Sequence, residues 1–99
     1  MFEDLGDWQV HAVRGGIIQS TGYFPQMYPA DAVTVLASCV RRKFGSGAFT
    51  QWAFHCVARG IDGRPLRTLV YAIGDAGSPV LLIDSRHADA RGSKPPFVV

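Results

Sequence analysis

Residues 48–84 constrain this chain more than any other stretch. They read as strand, turn, strand, loop, strand, and the first turn, Ile61-Asp62-Gly63-Arg64, sets an Asp-Gly pair between two apolar runs. That pairing is among the strongest short-range hairpin signals, because both central residues of such a tight turn take positive φ. With Asp62 and Gly63 as the two turn residues, Cys56 lies opposite Leu69, Phe54 opposite Tyr71 and Trp52 opposite Ile73. Alternation along the strands sends all six to one large, aromatic face. The other face pairs Arg59 with Leu66, Val57 with Thr68, His55 with Val70 and Ala53 with Ala72, and is mixed in character.

The flanks supply the other elements. Residues 8–14 alternate as a strand, Gly15-Gly16 suits a tight hairpin turn, and residues 17–24 return. In the simplest register Trp8 faces Tyr23 and His11 faces Ser20. Residues 24–29 hold two prolines and read as a connection, since proline is unwelcome in a central strand. Residues 30–44 form the one long helix, with Val33, Leu36, Ala37, Val40 and Phe44 on its apolar face. Asp31 in its first turn, Arg41, Arg42 and Lys43 in its last, and Gly45 after it all suit a helix of that span. Val80-Leu81-Leu82-Ile83 is a continuous apolar run, which predicts a strand buried on both faces. The expected architecture is α+β: a single domain over residues 1–99, with a mostly antiparallel five-stranded sheet and one main helix on one face. The element order is β-β-α-β-β-β, and residues from about 85 to 99 form an extended or mobile tail.

Ninety-nine residues suffice for one core. An apolar share of 47% against 18% charged residues excludes disorder and a coiled coil. No apolar run is long enough to span a membrane. The acidic start, Met1-Phe2-Glu3-Asp4-Leu5, lacks a signal peptide's basic region and apolar core, so a cytoplasmic protein is expected. Cys39 and Cys56 have neither redox nor zinc spacing.

The candidate chemistry is sparse. His55 and Cys56 are adjacent, which suggests a nucleophile and its base, but strand neighbours point to opposite faces. Asp84, His87 and Asp89 are three candidate metal ligands with Arg86 among them; a solvated loop is the plainer reading. No phosphate-loop, nucleophile-elbow or zinc-protease motif is present, so neither a cofactor nor an enzymatic activity is expected.

The leading expectation is a non-catalytic protein-binding or adaptor module that binds a second copy of itself or another protein. It rests on an imbalance: one helix covers one face of a sheet about 20 Å wide, leaving His55, Val57, Val70 and Ala72 as candidate interface residues. Nucleic-acid binding is an alternative, through Arg41, Arg42 and Lys43 together with Arg59, Arg64 and Arg67, provided the helix ends near the Asp62-Gly63 turn. The net charge of +2 alone does not demand such a partner. A small-molecule pocket between sheet and helix, or in the groove of a dimer, lined by Trp52, Tyr71 and His55, is the third reading.

Overall fold

A computed structural model describes residues 5–45, 47 and 49–86. Five antiparallel strands, β1 (Gly6–Arg14), β2 (Ile17–Met27), β3 (Trp52–Arg59), β4 (Pro65–Ile73) and β5 (Pro79–Arg86), form one sheet in the order β2-β1-β3-β4-β5. Helix α1 (Pro29–Phe44) lies on one face, and a single 3-10 turn (Phe49–Gln51) leads into β3. The expected α+β architecture and element order are what the structure shows. No helix among the described residues is long and apolar enough to cross a membrane.

The helix begins with Pro29, whose missing N–H costs nothing in the first turn. It ends at Gly45, which has φ 87° and donates its N–H to the Arg41 carbonyl at 2.9 Å. Ala32, Val33, Leu36, Ala37 and Val40 are buried against Trp8, Val10 and Ala12 of β1, Trp52, Phe54 and Cys56 of β3, and Leu69, Tyr71 and Ile73 of β4. Phe44, expected on this apolar face, is 39% exposed and lies beyond the core.

The β3–β4 hairpin keeps the expected pairing by a different route. Its loop has three residues, Ile61-Asp62-Gly63, between Gly60 and Arg64. Gly60 donates to the Arg64 carbonyl and Gly63 to the Gly60 carbonyl, both at 2.9 Å, while Gly63 takes φ 82°. These bonds and the left-handed glycine at its last position are those of a three-residue hairpin loop. The longer loop places Arg59 opposite Pro65, not Leu66, and the register shifts at Ala58/Arg59, leaving Leu66 as an extra residue. The two offsets cancel, so Ala58↔Arg67, Val57↔Thr68, Cys56↔Leu69, His55↔Val70 and Phe54↔Tyr71 all form. The β4–β5 connection repeats the device at Gly74–Ser78, with Gly77 at φ 83°.

Three expectations are corrected. Gly15 and Gly16 do form the two-residue turn, at φ 62° and 76°, but a shift between Ala12 and Val13 displaces the rest of β2. Trp8 therefore pairs with Phe24, Gln9 with Tyr23 and His11 with Thr21. Secondly, the supposed connection from Phe24 onward belongs to β2, which continues to Met27. As an edge strand it tolerates Pro25. Gln26, at φ 55°, is held there by its N–H donating to Asp7 Oδ1 at 3.0 Å. Thirdly, β5 is not buried on both faces. It is an edge strand, at the opposite side of the sheet from β2, and it runs on through Ser85 and Arg86, which were expected in the tail. His87 and Asp89 of the suggested metal cluster, and residues 87–99 of the tail, lie outside the described residues.

Candidate functional site

Four consecutive exposed apolar residues lie on β5. Val80, Leu81, Leu82 and Ile83 are 48, 46, 58 and 44% exposed, a run with no charge in it. On its inner side β5 pairs with β4, Val70↔Ile83 and Tyr71↔Leu81, and a shift between those pairs leaves Leu82 unmatched. Among the described residues no strand pairs with its outer edge. The end of the strand is anchored by a two-pronged contact. Arg67 Nε and Nη2 donate to Asp84 Oδ1 at 3.0 Å and Oδ2 at 2.7 Å. These bonds hold the Asp84 carboxyl below the usual carboxylate range, with a further contribution from the charges of Arg67 and Arg86.

The face opposite the helix carries the residues expected at an interface, but not as an exposed patch. His55, Val57 and Val70 are buried and Ala72 is partly buried. Beside them His11 Nδ1 lies 2.8 Å from Thr21 Oγ1, and the His11 and His55 ring centroids are 6.0 Å apart. Burial, and then the charge of Arg59, push the His11 pKa below its ordinary value. At one end of this face Asp7, Gln9, Tyr23, Val57 and Arg59 line a half-open depression of about 290 Å³. The pocket expected between sheet and helix does not bring its residues together: Trp52 and Tyr71 pack under the helix, whereas His55 lies on the other face. The same alternation separates His55 from Cys56, whose thiol is pushed up to about 12 by burial.

The two arginine groups stand at opposite ends of β3, roughly 23 Å apart at ~3.3 Å per residue, so the condition for one six-cation end is not met. At the hairpin Arg59 Nη1 donates to the Gly63 carbonyl at 3.0 Å, Arg64 sits 3.5 Å from Asp62, and Arg67 is bound to Asp84. At the other end Arg42 Nη2 reaches Cys39 Sγ at 3.5 Å, Arg41 stands 4.7 Å over the Phe49 ring and Lys43 5.3 Å over Phe44. Arg14 joins this second group, over Trp52 at 4.8 Å and Phe44 at 5.7 Å. Sequence reasoning missed it because Arg14 meets Trp52 only through the long-range pairing of β1 with β3. Comparison with known protein families, curated proteins and solved structures finds no match to this chain.

Proposed function

We propose that this chain is a non-catalytic protein-binding module that associates by strand addition at β5, its partner being a second copy of itself. The observation that carries the reading is the uncharged run Val80–Ile83 exposed on the edge strand β5. Natural sheets blunt such edges with lysine, proline or charge, whereas here Pro79 and Asp84 only bracket the run. The run is also self-complementary. Antiparallel pairing about a two-fold between Leu81 and Leu82 sets Val80 against Ile83 and Leu81 against Leu82. Asp84 then falls opposite Pro79 and Arg86 opposite Gly77, so no like charges meet. Main-chain hydrogen bonds supply the affinity and the apolar side chains the selectivity in this mode of recognition. The free thiols Cys39, exposed, and Cys56, buried, support a cytoplasmic setting.

Light scattering at tens of micromolar tests the reading. Twice the chain mass of 10.8 kDa is expected, and Leu82→Lys should return the mass to that of one chain. A monomer mass for the unaltered protein rejects it.

A second reading, a small-ligand module, is favoured by the depression at one end of the face opposite the helix. Gln9, Asp7, Tyr23 and Arg59 offer polar groups there around the apolar Val57. Thermal-shift screening of metabolites tests it, with Arg59→Gln expected to abolish any stabilisation found.

A further inference from the structure

We propose that the end of the molecule carrying Arg14, Arg41 and Lys43 binds single-stranded nucleic acid through its phosphates. Three cations from two elements are strung there along three rings. Arg41 lies over Phe49, Arg14 over Trp52 and Phe44, and Lys43 over Phe44. The rings themselves adjoin in sequence, Phe49 to Trp52 at 6.0 Å and Trp52 to Phe44 at 5.5 Å between centroids. The cations are spread over three adjoining rings rather than gathered on one, an arrangement that suits an extended polyanion better than a lone phosphate.

The helix dipole accounts for Arg41 and Lys43 in the last turn of α1. It does not account for Arg14, which arrives from the end of β1 and pairs with Trp52. A guanidinium lying over a ring uses its flat face and leaves its in-plane N–H donors for a second partner, and a phosphate accepts two of them at once. Among the described residues none of these three cations makes an ion pair, whereas Arg64 and Arg67 at the far end are paired with Asp62 and Asp84. Phe44, 39% exposed, and the partly exposed Phe49 hold these cations at the surface, where the outer face of a guanidinium can stack on an unpaired base. Base faces are available in a single strand and hidden by stacking in a duplex, which decides between the two. The surface is separate from β5, so this proposal stands or falls independently of self-association.

Fluorescence anisotropy of a labelled oligothymidylate of about twenty nucleotides, titrated with the full chain, tests it. Three phosphate contacts predict a log–log salt slope near −2, at about −0.7 per phosphate on a single strand, or roughly a twentyfold loss of affinity from 50 to 200 mM salt. The exposed-residue variant R14Q/R41Q/K43Q, checked for its fold by circular dichroism, should bind at least tenfold more weakly and lose most of that slope. Arg64→Gln at the opposite end should change neither. Absence of binding at 50 mM salt overturns the proposal. So does undiminished binding by the triple variant, tighter binding of a duplex of equal length, or displacement of the oligonucleotide by an equal phosphate concentration of a phosphopeptide.

Discussion

His11 is a polar side chain held in a sheet face by one hydroxyl, that of Thr21, 2.8 Å from its Nδ1. The His55 ring stands 6.0 Å away, and Arg59 is the charge that bears on it. Burial first, and Arg59 second, disfavour the imidazolium, so the folded-state pKa lies below 6.5. Above that value both folded and unfolded histidine are neutral and the group has no effect on stability. Below it the unfolded chain takes up a proton that the folded chain resists, so stability declines as pH falls through the lowered native value. The urea midpoint should therefore drop between pH 7 and pH 5, and His11→Gln should flatten that part of the profile. An unchanged slope would assign the effect elsewhere. Asp84 acts in a separate, more acidic window. Its pKa is lowered below 3.8 by the Arg67 bonds, and the stability they provide, full above that value, is lost as its carboxylate is protonated. The pair is partly exposed, which limits its worth to about 1 kcal/mol or less.

Among the elements, the hairpins set what could be read in advance. Gly63 takes φ 82°, and an added Cβ would meet nothing within 4 Å. The cost of Gly63→Ala is thus backbone strain without a clash, about 1–2 kcal/mol. Denaturant unfolding should show that loss, and Gly63→Asn should recover part of it because asparagine tolerates the left-handed region better. Equal stability of the alanine variant would mean that the loop relaxes to another turn type. The Asp-Gly signal located this hairpin, and apolar alternation assigned Phe54, Cys56, Leu69 and Tyr71 to the core face. The three-residue loop was not legible, because Gly60 and Leu66 carry no local mark of a bulge; the pairing survived only because loop and bulge offset each other. In β1–β2 the second shift, between Gly6 and Trp8, runs in the same direction as the first and does not restore the register. One displaced residue was enough to move His11 from Ser20 to Thr21 and to hide its hydrogen bond. A one-residue slip of this kind always reassigns partners, since side chains alternate with a period of two.

At the scale of the whole molecule, the core is centred on β1, β3 and β4 beneath the helix, and β5 lies outside it. Composition could not reveal this. A continuous apolar run is what a doubly covered strand needs, and nothing local states which neighbours it will have. The run Val80–Ile83 is therefore apolar in excess of what the single chain uses, and pairing with a second copy would give its outer edge a neighbouring strand and its side chains cross-strand partners. Because the buried helix-side cluster holds no residue of β5, association should add to a fold that already stands, and thermal midpoint and mass should be linked by concentration. If dimers bind only to the folded state, the midpoint should rise on going from about one to one hundred micromolar chain, as mass action requires. Leu82→Lys should abolish the rise while keeping a single cooperative transition, since Leu82 is 58% exposed and takes no part in the core. A midpoint independent of concentration in the unaltered protein would place the apolar edge outside any self-association, whereas loss of the cooperative transition in the variant would show that β5 is needed for the fold itself.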